Sequence, residues 1–289
     1  MTIQIIQTGV SQPDNSFGYI KHATAAANVC LAMSNVGTDE IDLLINVGNY
    51  RDDNMCEPSI AVLIQHALGI NLNPLNKPVK AHTFSFDLMN GGCGMLNALQ
   101  VANAILSTKG GRYALLVSGD SHPSKKAHTD FPIQHAGAAI LVERSDTTGF
   151  STFSFQTTPT FEGVSGYLDL DIHGLKSRHS IITEGFIDSS IATNFATDVV
   201  SAYLKTHNID ANATELLITY PNTNVQHDIA SKLNMTLSSA STTDGENLHT
   251  ANLGFGLHKL NQSSGAKDIL CVVIGTGITV GCGLYRRAK

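Results

Sequence analysis

The chain has 289 residues, of which 42% are hydrophobic and 15% charged, with 25 glycines and no tryptophan. That is enough apolar material for a large core in one or two domains, and the low charge and plentiful glycine suit an α/β protein with buried strands. The formal net charge of -6, with no basic cluster interleaved with aromatics, excludes a nucleic-acid binder. Met1 opens directly into Ile3-Gln-Ile-Ile, which reads as a strand without a charged leader, and no apolar run has membrane-spanning length. No signal peptide or membrane span is therefore expected. Helical spacing follows over 23–33, then an acidic spacer and a short apolar run from Leu43 to Ile45. Asn54-Met-Cys-Glu-Pro-Ser59 is expected to open a helix with Pro58 at its first position, which makes Glu57 a first-turn acid or a base.

Residues 84–88 read as a short buried strand, and 96–106 as a helix with apolar residues at helical spacing. Apolar strands are expected over 114–117 and 136–142. The same order then recurs. A helix over 195–204 leads to a strand over 216–218, a helix over 225–233, a helix over 253–260 and strands over 269–274 and 281–285. Short continuous apolar runs suit strands buried on both faces. The repeat predicts two similar α/β halves, 1–147 and 148–289, with helices covering both sheets.

Between the strand and helix of the first half stands Asp87-Leu-Met-Asn-Gly-Gly-Cys-Gly-Met-Leu96. The glycines let the backbone turn sharply, and Cys93 falls at a helix N-terminus, where the dipole favours its thiolate. Strand, glycine turn, cysteine, helix is a way to present a nucleophile. The five cysteines, at 30, 56, 93, 271 and 282, form no C-x-x-C and no histidine pair has metal spacing. No metal site is expected, and the scattered odd set points to a reducing, cytoplasmic setting.

Taken in order, these segments resemble a known family, the thiolase-like condensing enzymes, and within it β-ketoacyl-acyl carrier protein synthase III. Asp87 to Leu106 looks like the nucleophile segment, Tyr113 to Asp120 like the next strand and turn, and Gln134-His-Ala-Gly-Ala-Ala-Ile-Leu141 like a glycine-alanine strand. Gly245-Glu-Asn-Leu-His-Thr-Ala-Asn252 resembles the segment that carries the family's asparagine, and Gly275-Thr-Gly-Ile-Thr-Val-Gly281 its C-terminal glycine loop. The resemblance implies a thiolase-like fold, two βαβαβ-type halves layered αβαβα. It implies an acyl thioester on Cys93, an active-site amide at Asn247, and an oxyanion hole made of the Cys93 and Thr276 backbone N–H groups, which suits a tetrahedral oxyanion. The substrate would line up with Thr219, Asn222 and Ile274. No tightly bound cofactor is implied. The acyl donor would be acyl-coenzyme A or an acyl-carrier protein, and the chain a homodimer or a heterodimer with another ketosynthase.

Three departures stand out. The family's histidine, in a loop after a buried strand of the second half, falls on Thr219-Tyr-Pro-Asn222, where Thr219 takes its place and no histidine is present. His249, two residues past Asn247, is a candidate replacement base, followed by His122, His128 and His135. The stretch from Gly9 to Tyr19 is short, which favours a carrier-bound donor or an open pocket, and Lys125 and Lys126 could meet an acidic carrier. These features lead to an acyltransferase of ketosynthase-III type, of the kind found in secondary metabolism. The alternatives are a non-condensing partner subunit of a heterodimeric ketosynthase, and an α/β-hydrolase with a cysteine at its elbow.

Overall fold

The structure, a computed structural model, describes residues 1–55, 57–72, 82–109, 111–124, 131–159, 165–167, 182–184, 188–243, 246–263, 265, 267–275 and 277–287. The first half runs β1 (Thr2–Ser11), α1 (Tyr19–Ala32), β2 (Ile41–Asn46), α2 (Ile60–Leu68), β3 (Phe84–Asp87), α3 (Gly94–Lys109), β4 (Tyr113–Asp120) and β5 (Ala136–Ser145). The second runs β6 (Gly149–Thr157), β7 (Ser165–Tyr167), β8 (Ile182–Glu184), α4 (Ser189–Thr206), β9 (Thr214–Thr219), α5 (Thr223–Leu233), β10 (Thr236–Leu237), α6 (Asn252–Asn261), β11 (Asp268–Gly275) and β12 (Thr279–Arg286).

Ten strands form one row in the order β10-β9-β11-β12-β6-β1-β5-β4-β2-β3, while β7 and β8 pair separately. The row is two five-stranded sheets end to end. One holds strands of the second half and the other strands of the first, and they meet only where Ile3 pairs with Phe150. In each sheet the inner strands are parallel, β2 with β4 and β11 with β9, and an antiparallel strand follows each, β5 or β12.

The apolar alternation along these strands shows why the layers stack. On β11, Ile269, Cys271 and Val273 face one cluster, and Leu270, Val272 and Ile274 face another. On β4, Ala114 and Leu116 face the first cluster while Leu115 and Val117 join a third. A strand apolar on both sides needs a cover on each. Here α1 and α2 cover the outside of the first sheet, α4 and α5 the outside of the second, and α3 with α6 fills the space between. This is the expected αβαβα layering.

Two local expectations are corrected, and one strand is added. The strand at 84–88 is not buried: β3 is an edge strand paired only with β2, and Phe84 is 61% exposed. The helix after Pro58 begins at Ile60 with Ser59 as its N-cap, so Pro58 is not its first residue and Glu57 is not in its first turn. The aromatic and hydroxyl mixture of 149–157 gave no strand signal, yet it forms β6 against β12. Among the described residues no helix is long and apolar enough to cross a membrane.

Candidate active site

The turn between β3 and α3 is a single 3-10 turn, Gly91–Cys93, running straight into α3 at Gly94. Gly91 has φ +47, a left-handed conformation that costs glycine little. Cys93 is 0% exposed. Its Sγ lies behind Gly275, at the end of β11: a methyl group on Gly275 would come within 3.0 Å of it. The thiol donates to the Thr279 carbonyl at 3.5 Å, and the Cys93 N–H, half of the expected oxyanion hole, donates to Asn90 O at 3.0 Å.

Burial pushes the Cys93 thiol up to about 12, with backbone hydrogen bonding at Gly275 and Gly281 working in the opposite direction. This corrects the expectation of a thiolate favoured by the helix dipole. The dipole is worth up to ~2 kcal/mol, whereas a rise of this size disfavours the anion by roughly 4 kcal/mol. The shift favours the neutral thiol, so a nucleophilic role for Cys93 would call for a base nearby.

A cavity of about 350 Å³ opens above this turn, with Gly92 and Gly275 in its wall. It brings together Thr219, Asn222, Ile274, Asn247 and His249, from three separate stretches of the chain. Thr219 ends β9, and its Oγ1 is buried with no hydrogen-bond partner among the described residues. Asn222 caps α5, its Oδ1 accepting from the Asn224 N–H at 3.0 Å. Ile274 is packed in the second outer cluster and reaches the cavity beside Gly275. Asn247 is held by its amide, whose Nδ2 donates to Pro132 O, also in the cavity wall, at 3.0 Å. Glu57 is exposed and lies outside the cavity lining. Thr276, the other expected oxyanion donor, lies outside the described residues, as do Cys56, Lys125, Lys126 and His128.

His249 stands close to the Cys93 turn. Its Nε2 lies 3.5 Å from where a Cβ on Gly91 would be, and its ring rests against Tyr50 with centroids 5.5 Å apart. Its backbone is held at φ +43, in a region non-glycine residues enter only when the surroundings fix them there. What fixes it is Asp120, the last residue of β4 and 0% exposed. Asp120 Oδ2 accepts from Thr250 N at 3.0 Å, Thr250 Oγ1 at 2.7 Å and Ala251 N at 3.2 Å, and Oδ1 faces His249 Nδ1 at 3.2 Å.

Sequence reasoning gave Asp120 no role. The signal available was a carboxylate ending the otherwise apolar and small run Tyr113-Ala-Leu-Leu-Val-Ser-Gly-Asp120, at a strand's C-terminal end, where open α/β sheets place their ligands. Of the other histidines, His122 is spent on Ser124, with Nδ1–N and Nδ1–Oγ distances of 3.1 and 2.7 Å. His135 Nδ1 bonds Ser16 O at 3.1 Å, in a different depression with Pro13, Asp14 and Asn15.

No family model matches the chain. A β-ketoacyl-acyl carrier protein synthase III from Rickettsia bellii is 25% identical over 295 residues, 97% of this chain and 89% of that protein. An acyl-CoA:acyl-CoA alkyltransferase from Xanthomonas campestris is 32% identical over 99 residues, 34% of this chain and 26% of that protein. Among solved structures, the priming β-ketosynthase of the R1128 polyketide pathway matches with a TM-score of 0.76 and 17% identity, covering 100% of this chain and 97% of its own. OleA from Xanthomonas campestris, in a cysteine-to-serine variant with bound lauric acid and lauroyl-CoA, matches with a TM-score of 0.76 and 16% identity over 99% of each chain. The chain has the thiolase fold and resembles β-ketoacyl-acyl carrier protein synthase III over nearly its whole length.

Proposed function

We propose that the chain is an acyltransferase that takes an acyl group from an acyl thioester onto Cys93 and passes it to a second substrate. The observation that carries this reading is the position of Cys93, fully buried at the start of α3 and directly behind the Gly92 and Gly275 wall of a 350 Å³ cavity. A base is at hand in His249, which answers the need of a thiol pushed up to about 12. The donor is an acyl-coenzyme A or an acyl-carrier protein, the two classes named for the similar proteins above. We take the setting to be cytoplasmic and secondary-metabolic. The active unit we propose is a dimer built on β3, an edge strand whose exposed Phe84 and neighbouring Met89, 55% exposed, are unfavourable to leave in water.

The test is intact-protein mass spectrometry after incubation with a panel of acyl-coenzyme A and acyl-carrier-protein donors. The expected result is one acyl adduct that maps to Cys93 and is absent from Cys93→Ala. An adduct that persists in that variant, or that maps to Cys271 or Cys282, overturns the reading. No adduct with any donor favours the partner-subunit alternative, which co-purification with a complete ketosynthase would then establish.

A further inference from the structure

Asp120 and His249 form a charge-backed pair that the ketosynthase resemblance does not assign. A carboxylate can only accept, so the proton between Asp120 Oδ1 and His249 Nδ1 belongs to the imidazole. That leaves Nε2 as the ring nitrogen Asp120 does not engage, on a residue that lines the cavity, 3.5 Å from the Cβ position of Gly91 and two residues from Cys93. The ring cannot swing easily. Asp120 also holds the turn that carries it, through Thr250 and Ala251, and Tyr50 closes one side.

The rest of the cavity has a matching character. Apart from His249, its described lining contains no charged side chain. It offers amides and hydroxyls, among them the buried, unpartnered Thr219 Oγ1. A malonyl carboxylate would have no cation to meet there, and a forming enolate would meet threonine where the similar family has a histidine. A neutral group with an exchangeable proton meets an oriented base and an idle hydroxyl.

We propose that Asp120 and His249 activate a neutral hydroxyl or amine acceptor, so that the acyl group on Cys93 is transferred to oxygen or nitrogen rather than to carbon. This rests on the acyl-Cys93 reading above. In the step, the acceptor oxygen or nitrogen attacks the thioester carbonyl while His249 Nε2 takes its proton. The new C–O or C–N bond forms and the C–Sγ bond breaks. Cys93 leaves as thiolate and recovers the proton from Nε2. No oxidant or further reactant is needed. His249 is the catalytic base, and Asp120 is a positioning residue acting through Nδ1.

The test separates loading from transfer. Cys93 is loaded to completion with lauroyl-coenzyme A, excess donor is removed, and the acyl-protein is mixed with n-butanol or, separately, with malonyl-coenzyme A. Loss of the adduct and formation of butyl laurate, laurate, carbon dioxide or β-ketoacyl product are followed by mass spectrometry from pH 5.5 to 9. The expected result is butyl laurate, formed at a rate that depends on pH, with malonyl-coenzyme A without effect. His249→Asn should slow transfer by about a hundredfold or more and flatten the pH profile, as befits loss of a general base. The groups facing the His249 ring among the described residues are Asp120 from β4, Tyr50 from the loop after β2 and the Cys93 turn. Tyr50 is pushed up by burial and by Asp120, so it does not titrate in this range. Asp120→Asn should lower the rate about tenfold and move the profile; if it does not fold, His249→Asn, at a partly exposed position, carries the test. An adduct that turns over on malonyl-coenzyme A with carbon dioxide release, or that is stable to both butanol and water, overturns this inference alone. So does an unchanged pH profile in His249→Asn. Absence of an adduct with lauroyl-coenzyme A and with every other donor of the panel above overturns the acyl-enzyme reading and this inference with it.

Discussion

Thr219 is 3% exposed and its hydroxyl has no partner among the described residues. A buried unpaired hydroxyl ordinarily costs about 1–3 kcal/mol. Its retention beside a cavity makes sense if a bound molecule supplies the missing hydrogen bond. Thr219→Val keeps the shape and removes the idle group. Urea denaturation should show unchanged stability or a gain of about 1 kcal/mol, while transfer from acyl-Cys93 falls roughly tenfold; a clear loss of stability would mean that the hydroxyl has a structural partner. Cys93 was legible in the sequence because strand, glycine turn and helix are all local signals. Its ionisation was not, because the dipole is read from the neighbours in sequence and burial from β11 and β12, about 180 residues away. Asn247 and His249 show the same limit. Both line the cavity, and the φ of +43 at His249 goes with the hydrogen bonds of Asp120, brought in from β4, which no local signal announces.

At the scale of elements, α2 starts without a side-chain cap of its own. Its first N–H groups are received by Asp87 on β3, Ile60 N at 2.9 Å and Ala61 N at 2.8 Å. The same carboxylate accepts from Arg51 Nη2 at 2.7 Å and Asn46 Nδ2 at 3.0 Å. Asp87 is thus both helix cap and counter-charge, holding α2 against the strand that leads to Cys93. Removing one member of such a partly buried pair leaves its donors short of an acceptor, so Asp87→Ala should lose about 1.5–3 kcal/mol in urea denaturation. A loss below about 1 kcal/mol would show that α2 is held by packing alone. The cap explains the misplaced helix start. Pro58 is a local cue for a first turn, but the group that satisfies α2 comes from the next strand. The helices 23–33, 96–106 and 225–233 were legible because their apolar spacing carries them through, with only their ends extended in the structure. Strand β6 was not, since its Phe150, Phe153 and Phe155 alternate imperfectly among hydroxyl residues.

For the molecule as a whole, buried thiols shape the response to alkali. Cys30, Cys93 and Cys282 are each raised by burial to about 12 from an ordinary 9.0, and Cys271 is raised further. The unfolded chain sheds these protons first, so the folded state binds more protons in the window between. Stability should therefore be level with respect to these groups below about pH 9 and fall steadily between about 9 and 12. Urea midpoints measured along that range check it, and Cys282→Ala should make the fall shallower; a midpoint independent of pH above 9 would count against it. The layering itself was legible, because strands apolar on both faces demand two covers and the helix-strand order repeats. The junction of the two sheets was not, since a single pair, Ile3 with Phe150, leaves no pattern in either segment. That narrow joint bears on how the chain comes off the ribosome. All five strands of the first sheet lie within the first 145 residues, so that sheet can close, β1 against β5, while later residues are still being synthesised. Until β6, α6, β11 and β12 follow, the side of α3 turned away from the first sheet, with Leu96 against Gly283 of β12 in the finished fold, stays uncovered. The nascent half-protein is then a client for any chaperone that holds exposed apolar helices.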